Sequence, residues 1–205
     1  MLDFFALLHL PRQPWIDPEF LKERFNALST ELHPDKAAPL NNEEARAQAT
    51  AAFADLNGAY QTLRDIRTRL AHLILLERGA APANLEQVSN EAANVFFEVS
   101  QVCRQVDAFL AAKIKLTSPL AKAAHFSQSL DLTDRVQNLL QSIADKKKGA
   151  EEEVRAISDA WSRDTTPGSR ANEHGIERLK EIYRQLGYLT RWTDQLQERL
   201  VHLAV

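Results

Sequence analysis

The chain has 205 residues, of which 44% are hydrophobic, enough for one ordinary domain or two small ones with a packed core. Its 25 basic and 28 acidic residues are well mixed and give a net charge of -3, which argues against a surface for nucleic acid or anionic membranes. No apolar stretch is long enough to span a bilayer, and Asp3 stands where a signal peptide carries positive charge, so we expect a cytoplasmic protein.

The N-terminal segment predicts two helices separated by a proline-rich loop. The short apolar stretch DFFALLHL forms the first helix, which Pro11 closes. The second helix begins with Asp17 as its N-cap and Pro18 in its first position. It ends at His33-Pro34, because proline cannot continue the helical hydrogen bonds. Apolar residues recur along it at helical spacing: Phe20, Leu21, Phe25, Leu28 and Leu32.

Two further helices complete the first part of the chain. The third is capped by Asn41 or Asn42, with Glu43 and Glu44 in the first turn, where acidic residues suit the helix dipole. The fourth ends at Gly79. One side of the third helix is apolar, which favours antiparallel packing on the second helix: Ala52, Phe53, Leu56, Tyr60 and Leu63.

A small-residue stretch then predicts a boundary, with residues 1–79 as one domain, 80–87 as a linker and 88–205 as a second domain. The second domain carries narrow apolar stripes, and we expect Gly149 to break one helix and residues 162–175 to form a surface loop. Because narrow stripes need partners, three or four long helices should form an antiparallel bundle. The stripes contain Val88, Ala92, Val95, Val99, Val102, Val106 and Phe109; Leu132, Val136, Leu139 and Ile143; Val154, Ile157 and Trp161; and Leu179, Ile182, Leu186, Leu189, Thr193, Leu196, Leu200 and Leu203.

The first domain resembles a known family through four sequence elements: DFFALLHLP, HPDK, ADLNGAYQTLRD and RTRLAHLILLERG. In order and spacing they are similar to the J-domain of the co-chaperones of iron-sulfur cluster assembly, the HscB or Jac type. The resemblance covers residues 1 to about 79, and beyond them it persists in architecture and in the last helix. It implies an all-α fold in which an N-terminal J-domain, a helical hairpin with an HPD turn, precedes an antiparallel helical bundle.

The resemblance also implies a function, and no catalytic residue in this chain. A J-domain docks on a DnaK/HscA-type chaperone and stimulates ATP hydrolysis there, while the rest of the protein delivers a client. Asp35 would engage an arginine of the chaperone, and Pro34 would fix the turn that presents it. His33 would secure the helix end, with direct contact to the chaperone as a second role. Packing of the third helix beneath the turn would hold it in place.

Helix two departs from the usual J-domain pattern in its charge. J-domains usually carry basic residues just before HPD, where this chain has the sequence STEL at residues 29–32. The positive charge that steers the domain to an acidic surface of the chaperone would then come from Lys22, Arg24 and Lys36. We keep these three residues as secondary docking candidates. Three further arginines are interpreted as a solvated face: Arg64, Arg67 and Arg69.

The client in this family is an IscU-type scaffold protein, bound by an apolar and acidic face of the bundle. Phe96, Phe97 and Glu98 are the nearest match, although Ser100 and Gln101 stand where the family pattern has a large apolar residue and an acid. Phe96 joins the apolar stripe of its helix, so plain packing is an equal alternative for it. Phe97 lies off the stripe and is the better candidate for an exposed anchor.

Other classes of function find little support in the sequence. It contains no glycine-rich phosphate loop, nucleophile elbow or His-Glu-x-x-His motif, so we expect no enzyme, no metal and no cofactor. The single cysteine, Cys103, lies on an apolar stripe and is expected to be a buried, inert thiol. Two alternatives stay open: a J-domain co-chaperone with a different client, and a helical adaptor that stimulates no chaperone.

Overall fold

The computed structural model describes residues 2–32, 43–82, 90–113, 118–163 and 170–204. Almost all of these residues are helical, which confirms the predicted all-α class. The helices of the described part are α1 Phe4–Leu7, α2 Pro18–Glu31, α3 Glu43–Arg64, α4 Ile66–Arg78, α5 Asn90–Lys113, α6 Pro119–Arg163 and α7 Arg170–Ala204.

The chain divides into two compact units that do not follow chain order. The first unit contains Met1–Ala83 and Glu151–Tyr183, and the second contains Asn84–Ala150 and Arg184–Val205. Helices α6 and α7 therefore contribute one part to each unit. The linker predicted at residues 80–87 extends into a segment outside the described residues, so this boundary stays a prediction.

The start of α2 confirms the predicted cap. The carboxylate of Asp17 accepts hydrogen bonds from the backbone N–H groups of Glu19 and Phe20, both at 3.0 Å, and Pro18 occupies the first turn. These contacts satisfy donors that an α-helix leaves without partners in its first turn. At the other end Leu32 is the C-cap, and its N–H donates to the carbonyl of Leu28. The last helical residue is thus Glu31, two positions before His33 of the HPD tripeptide.

Helices α2 and α3 pack against each other as the hairpin of the first unit. The ring of Phe25 stacks on that of Tyr60, with centroids 4.2 Å apart and planes inclined by 21°. Phe20, in contrast, is 48% exposed, so the buried face of α2 is narrower than its apolar sequence pattern suggests. The buried residues of the two helices are Leu21, Leu28, Leu56, Ala59 and Leu63.

A buried arginine fixes the loop between α1 and α2 to the rest of the first unit. Nε of Arg69 donates to the carbonyl of Pro14 at 2.9 Å, and Nη1 donates to the carbonyl of Leu63 at 2.8 Å. The guanidinium also lies 5.5 Å from the ring centroid of Trp15. Burial lowers the pKa of Arg69 to about 10, which leaves it charged at neutral pH. The interpretation as a solvated arginine is therefore wrong for Arg69, because its hydrogen bonds to two carbonyls offset the cost of burial.

Trp15 is held from a second side by α6. The guanidinium of Arg155 lies 4.0 Å from the ring centroid of Trp15, and the backbone N–H of Trp15 donates to Oγ of Ser158 at 3.2 Å. A guanidinium over an indole face is a favourable cation-π arrangement. Arg69 and Arg155 both stack on this indole, which joins the loop before α2 to α6 within the first unit.

The second unit has an apolar core built from α5, α6 and α7, which confirms most of the predicted stripes. Trp192, absent from the predicted stripe of α7, is also buried there. Its position three residues after Leu189 and four before Leu196 was the signal that could have found it. The core contains Val95, Val99, Val102, Cys103, Val106, Phe109, Leu132, Val136, Leu139, Ile143, Leu189, Trp192, Leu196 and Leu203.

Of two predicted breaks in the second half, the one at Gly149 is wrong and the loop at residues 162–175 is shorter than predicted. Helix α6 runs through Gly149 without interruption, because one glycine costs a helix only about 1 kcal/mol. Buried Ile143 and Val154 on its two sides compensate that cost by packing. Of the loop predicted at residues 162–175, the first two residues end α6 and the last six begin α7, while 164–169 lie outside the described residues.

Candidate functional site

The predicted docking turn, His33, Pro34, Asp35 and Lys36, lies outside the described residues. The helices that flank it are described: α2 ends at Glu31 and α3 begins at Glu43. These two helices pack against each other, and the roles assigned to the four residues of the turn stay predictions.

Of the four α3 side chains predicted to hold the turn, two are buried and two are partly buried. Leu56 and Leu63 are fully buried, as expected of packing residues. Phe53 and Tyr60 are only partly buried, and Tyr60 uses one face of its ring to cover Phe25 of α2. Because α2 and α3 are joined by these contacts, the ends of the two helices are held at a fixed separation.

The two basic candidates on α2 do not share a face. Residues two apart on an α-helix point roughly 160° away from each other, so Lys22 and Arg24 lie on opposite flanks. Lys22 is exposed and lies 3.9 Å from a carboxylate oxygen of Glu19. Arg24 is partly buried, and its Nε has no hydrogen-bond partner among the described residues. One docking surface can therefore include Lys22 or Arg24, and the exposed Lys22 is the better candidate.

The candidate client face on α5 is exposed. Phe96 is 56% and Phe97 is 64% exposed, and Glu98 is also open to solvent. The alternative that Phe96 is plain core packing is wrong, since more than half of its side chain is exposed, although its ring approaches that of Trp192 with centroids 6.4 Å apart. The stripe periodicity placed Phe96 near the core, but it could not show that the partner helices leave this position uncovered. Two adjacent exposed phenylalanines form a surface suited to an apolar anchor.

Aromatic residues of α7 adjoin this face. Tyr188 stacks on Trp192 with centroids 5.9 Å apart, and the guanidinium of Arg191 lies 5.2 Å from the Tyr188 ring. Trp192 in turn contacts Phe96. The ring contacts of Phe96 thus continue through buried Trp192 to partly buried Tyr188 of α7, a connection that no single-helix pattern could reveal.

Cys103 is buried in the core of the second unit, as predicted. Burial raises the pKa of its thiol, which keeps it protonated and weakly reactive. Within the described ranges, no group of three or more His, Cys, Asp or Glu side chains is placed to hold a metal ion. Across the same ranges, no helix has both the length and the apolar character that crossing a membrane requires.

Comparison with known proteins identifies the first domain. The DnaJ domain family model matches residues 3–72. The co-chaperone protein HscB of Proteus mirabilis is 32% identical over 92 residues, which are 45% of this chain and 52% of that protein. The chain thus spans about half the length of this relative.

Other relatives extend the likeness over most of the chain. An HscB homologue of Cupriavidus taiwanensis is 28% identical over 179 residues, covering 87% of this chain and 89% of that protein. The solved structure of HscB from Vibrio cholerae has the same fold, with a TM-score of 0.61 and 17% identity over 96% of both chains. Residues 3–72 of this chain are a DnaJ domain, and over most of its length the chain is similar to HscB co-chaperones.

Proposed function

We propose that this chain is a co-chaperone of iron-sulfur cluster assembly that acts in the cytoplasm. It docks on a DnaK/HscA-type chaperone through His33, Pro34 and Asp35, stimulates ATP hydrolysis by that chaperone, and delivers an IscU-type scaffold protein. The observation that carries the proposal is the DnaJ domain at residues 3–72, which contains the HPD tripeptide. The chemistry of ATP hydrolysis belongs to the chaperone.

The described helices support the docking half of this proposal. A turn that presents a carboxylate to an arginine must be held by rigid neighbours, since mobility would lower the affinity. The stacked rings of Phe25 and Tyr60 and the buried side chains of Leu28 and Leu56 join the two flanking helices. Exposed Lys22 adds one positive charge for steering, although Glu19 lies beside it.

The docking half is tested by single-turnover ATP hydrolysis of the cognate chaperone. We expect wild type to accelerate hydrolysis and Asp35→Asn to remove most of the acceleration, because the amide cannot form the charge-assisted pair. Asp55→Asn makes the same substitution at an exposed carboxylate of α3 and should behave as wild type. Equal stimulation by wild type and Asp35→Asn, or none by either, would rule out the docking mechanism.

The client half depends on the exposed pair Phe96 and Phe97 beside Glu98. An exposed phenylalanine supplies a large apolar contact with little loss of side-chain freedom. We expect Phe97→Ala to weaken binding to the scaffold about tenfold or more in a pull-down or calorimetric titration. Phe126→Ala removes a ring of similar exposure from α6, 66% against 64%, and should leave scaffold binding unchanged.

A second candidate function has one observation in its favour. Ser100 and Gln101 replace the large apolar residue and the acid expected after Glu98, and Gln101 is exposed on α5. A J-domain co-chaperone with a different client would show the same stimulation of its chaperone and the same loss in Asp35→Asn. The two candidate functions are distinguished by scaffold binding. The first predicts that the wild-type chain binds the IscU-type scaffold, and the second predicts that it does not.

A further inference from the structure

The exposed side of α6 carries four residues at a regular spacing of four: Lys122, Phe126, Leu130 and Asp134. All four are exposed, with Phe126 at 66% and Leu130 at 51%. We call them the α6 stripe. Leu132 and Val136, which point into the core of the second unit, lie on the other side of the helix. The two large apolar side chains of the stripe therefore stand outside the core of this unit, with at least half of each exposed.

The α6 stripe is complementary to its own reverse. Its order is base, apolar, apolar, acid, so a second copy running antiparallel places base against acid at each end. A two-fold axis near Gln128 would set Lys122 opposite Asp134 of the partner subunit and Phe126 opposite Leu130 of the partner subunit. A two-fold contact repeats each of these pairs, which gives two ion pairs and two apolar pairs from four residues.

We propose that the α6 stripe is a self-association surface, which pairs antiparallel with the α6 stripe of a second copy of this chain. Rows of residues spaced by four are the ridges that interdigitate when two helices pack. The charges favour this occupant, because neither Lys122 nor Asp134 forms an ion pair with another described residue. Both side chains remain available to a partner. The matching partner is a helix that presents an acid opposite Lys122 and a base opposite Asp134.

The size of the stripe predicts a weak dimer. Its end residues are twelve positions apart, or about 18 Å along the helix. One helix pair of this length buries less surface than the standard stable interface, so the association should be concentration-dependent, with a Kd on the order of tens of micromolar. This surface is independent of the proposed docking and client roles.

The apolar part is tested by sedimentation velocity over a concentration series of the full chain. We expect Phe126→Asp to raise the dimer Kd about tenfold or more, since it places a charge in the centre of the contact. Phe97→Asp makes the same change at an equally exposed ring on α5 and should leave the dimer Kd within about twofold. A wild-type chain that stays monomeric at several hundred micromolar would overturn the proposal, as would equal effects of both substitutions.

The charged part gives a sharper test of the antiparallel geometry. Lys122→Asp and Asp134→Lys should each weaken self-association, because each places like charges opposite one another at both ends. An equimolar mixture of the two variants should instead form a heterodimer, since one chain then carries two acids and the other two bases. Failure of the mixture to associate more tightly than either variant alone would overturn the proposed pairing.

Discussion

The two units of the molecule are stabilised in different ways. In the first unit the buried residues include Arg69, His72 and Ser158, each of which has a hydrogen-bond partner fixed in direction. In the second unit the core cluster is apolar, with Val106, Val136 and Leu196 completely buried. Directional contacts demand particular residues at particular positions, whereas an apolar core accepts many combinations of similar volume.

This difference gives a physical account of where the family likeness is concentrated. The DnaJ domain match falls entirely in the first unit, at residues 3–72. An apolar core such as that of the second unit depends on the volume and pattern of its residues more than on their identity. A surface such as Phe96, Phe97 and Glu98 can therefore change its chemistry while the bundle persists.

Removing the buried arginine should have the largest effect on stability. Arg69→Met keeps the approximate volume but leaves the carbonyls of Pro14 and Leu63 without their donor. We expect the free energy of unfolding to fall by about 3 kcal/mol, measured by urea denaturation. Arg64→Met, at an exposed position of α3, should change it by less than about 0.5 kcal/mol. Equal losses in the free energy of unfolding for Arg69→Met and Arg64→Met would show that the hydrogen bonds of Arg69 do not stabilise the first unit.

His72 should give the first unit a dependence on pH. Its Nε2 accepts a hydrogen bond from the backbone N–H of Phe4 at 3.0 Å, which requires a neutral imidazole. Burial lowers the pKa of His72 below its usual 6.5, so the unfolded chain binds the proton first as the pH falls. The contribution of His72 is thus complete above pH 6.5 and is lost as the pH falls from there through the lowered pKa.

The measurement is the free energy of unfolding across that pH range. His72→Gln should flatten the decline relative to wild type, and His174→Gln, at an exposed position of the same unit, should leave it unchanged. A decline of the same slope in His72→Gln and wild type would assign the pH dependence to other groups.

A conservative change in the second unit should have the smallest effect. Ile143 is 1% exposed in the apolar core, and Ile143→Leu conserves its volume. We expect the free energy of unfolding to change by less than about 1.5 kcal/mol, because neighbouring side chains can repack. A loss greater than that of Arg69→Met would reverse the contrast between the two units.

Local signals in the sequence predicted the helix ends well. Asp17 and Pro18 start α2 as expected, and Gly79 ends α4 in a left-handed conformation with a φ angle of 71°. Such ends depend on hydrogen bonds within a few residues, which the sequence shows directly. Gly149 failed as a break because packing along the whole of α6 outweighs one unfavourable residue.

Tertiary contacts could not be predicted in the same way. Arg69 is an ordinary surface arginine by local pattern, and only the approach of Pro14 and Trp15 makes it a buried one. Phe96 follows the apolar stripe of α5, yet the adjacent helices leave it exposed. Periodicity assigns a residue to a face of its helix, but the neighbours of that face depend on distant parts of the chain.

The central claim is that the chain docks on a chaperone through its HPD turn and delivers a client through Phe96, Phe97 and Glu98. One assay tests both surfaces most directly. Single-turnover ATP hydrolysis by the cognate DnaK/HscA-type chaperone is measured with the IscU-type scaffold present. We predict the highest rate with wild type, a lower rate with Phe97→Ala, which docks without its client, and a rate near that of the chaperone alone with Asp35→Asn. A wild-type rate equal to that with Asp35→Asn would contradict the account.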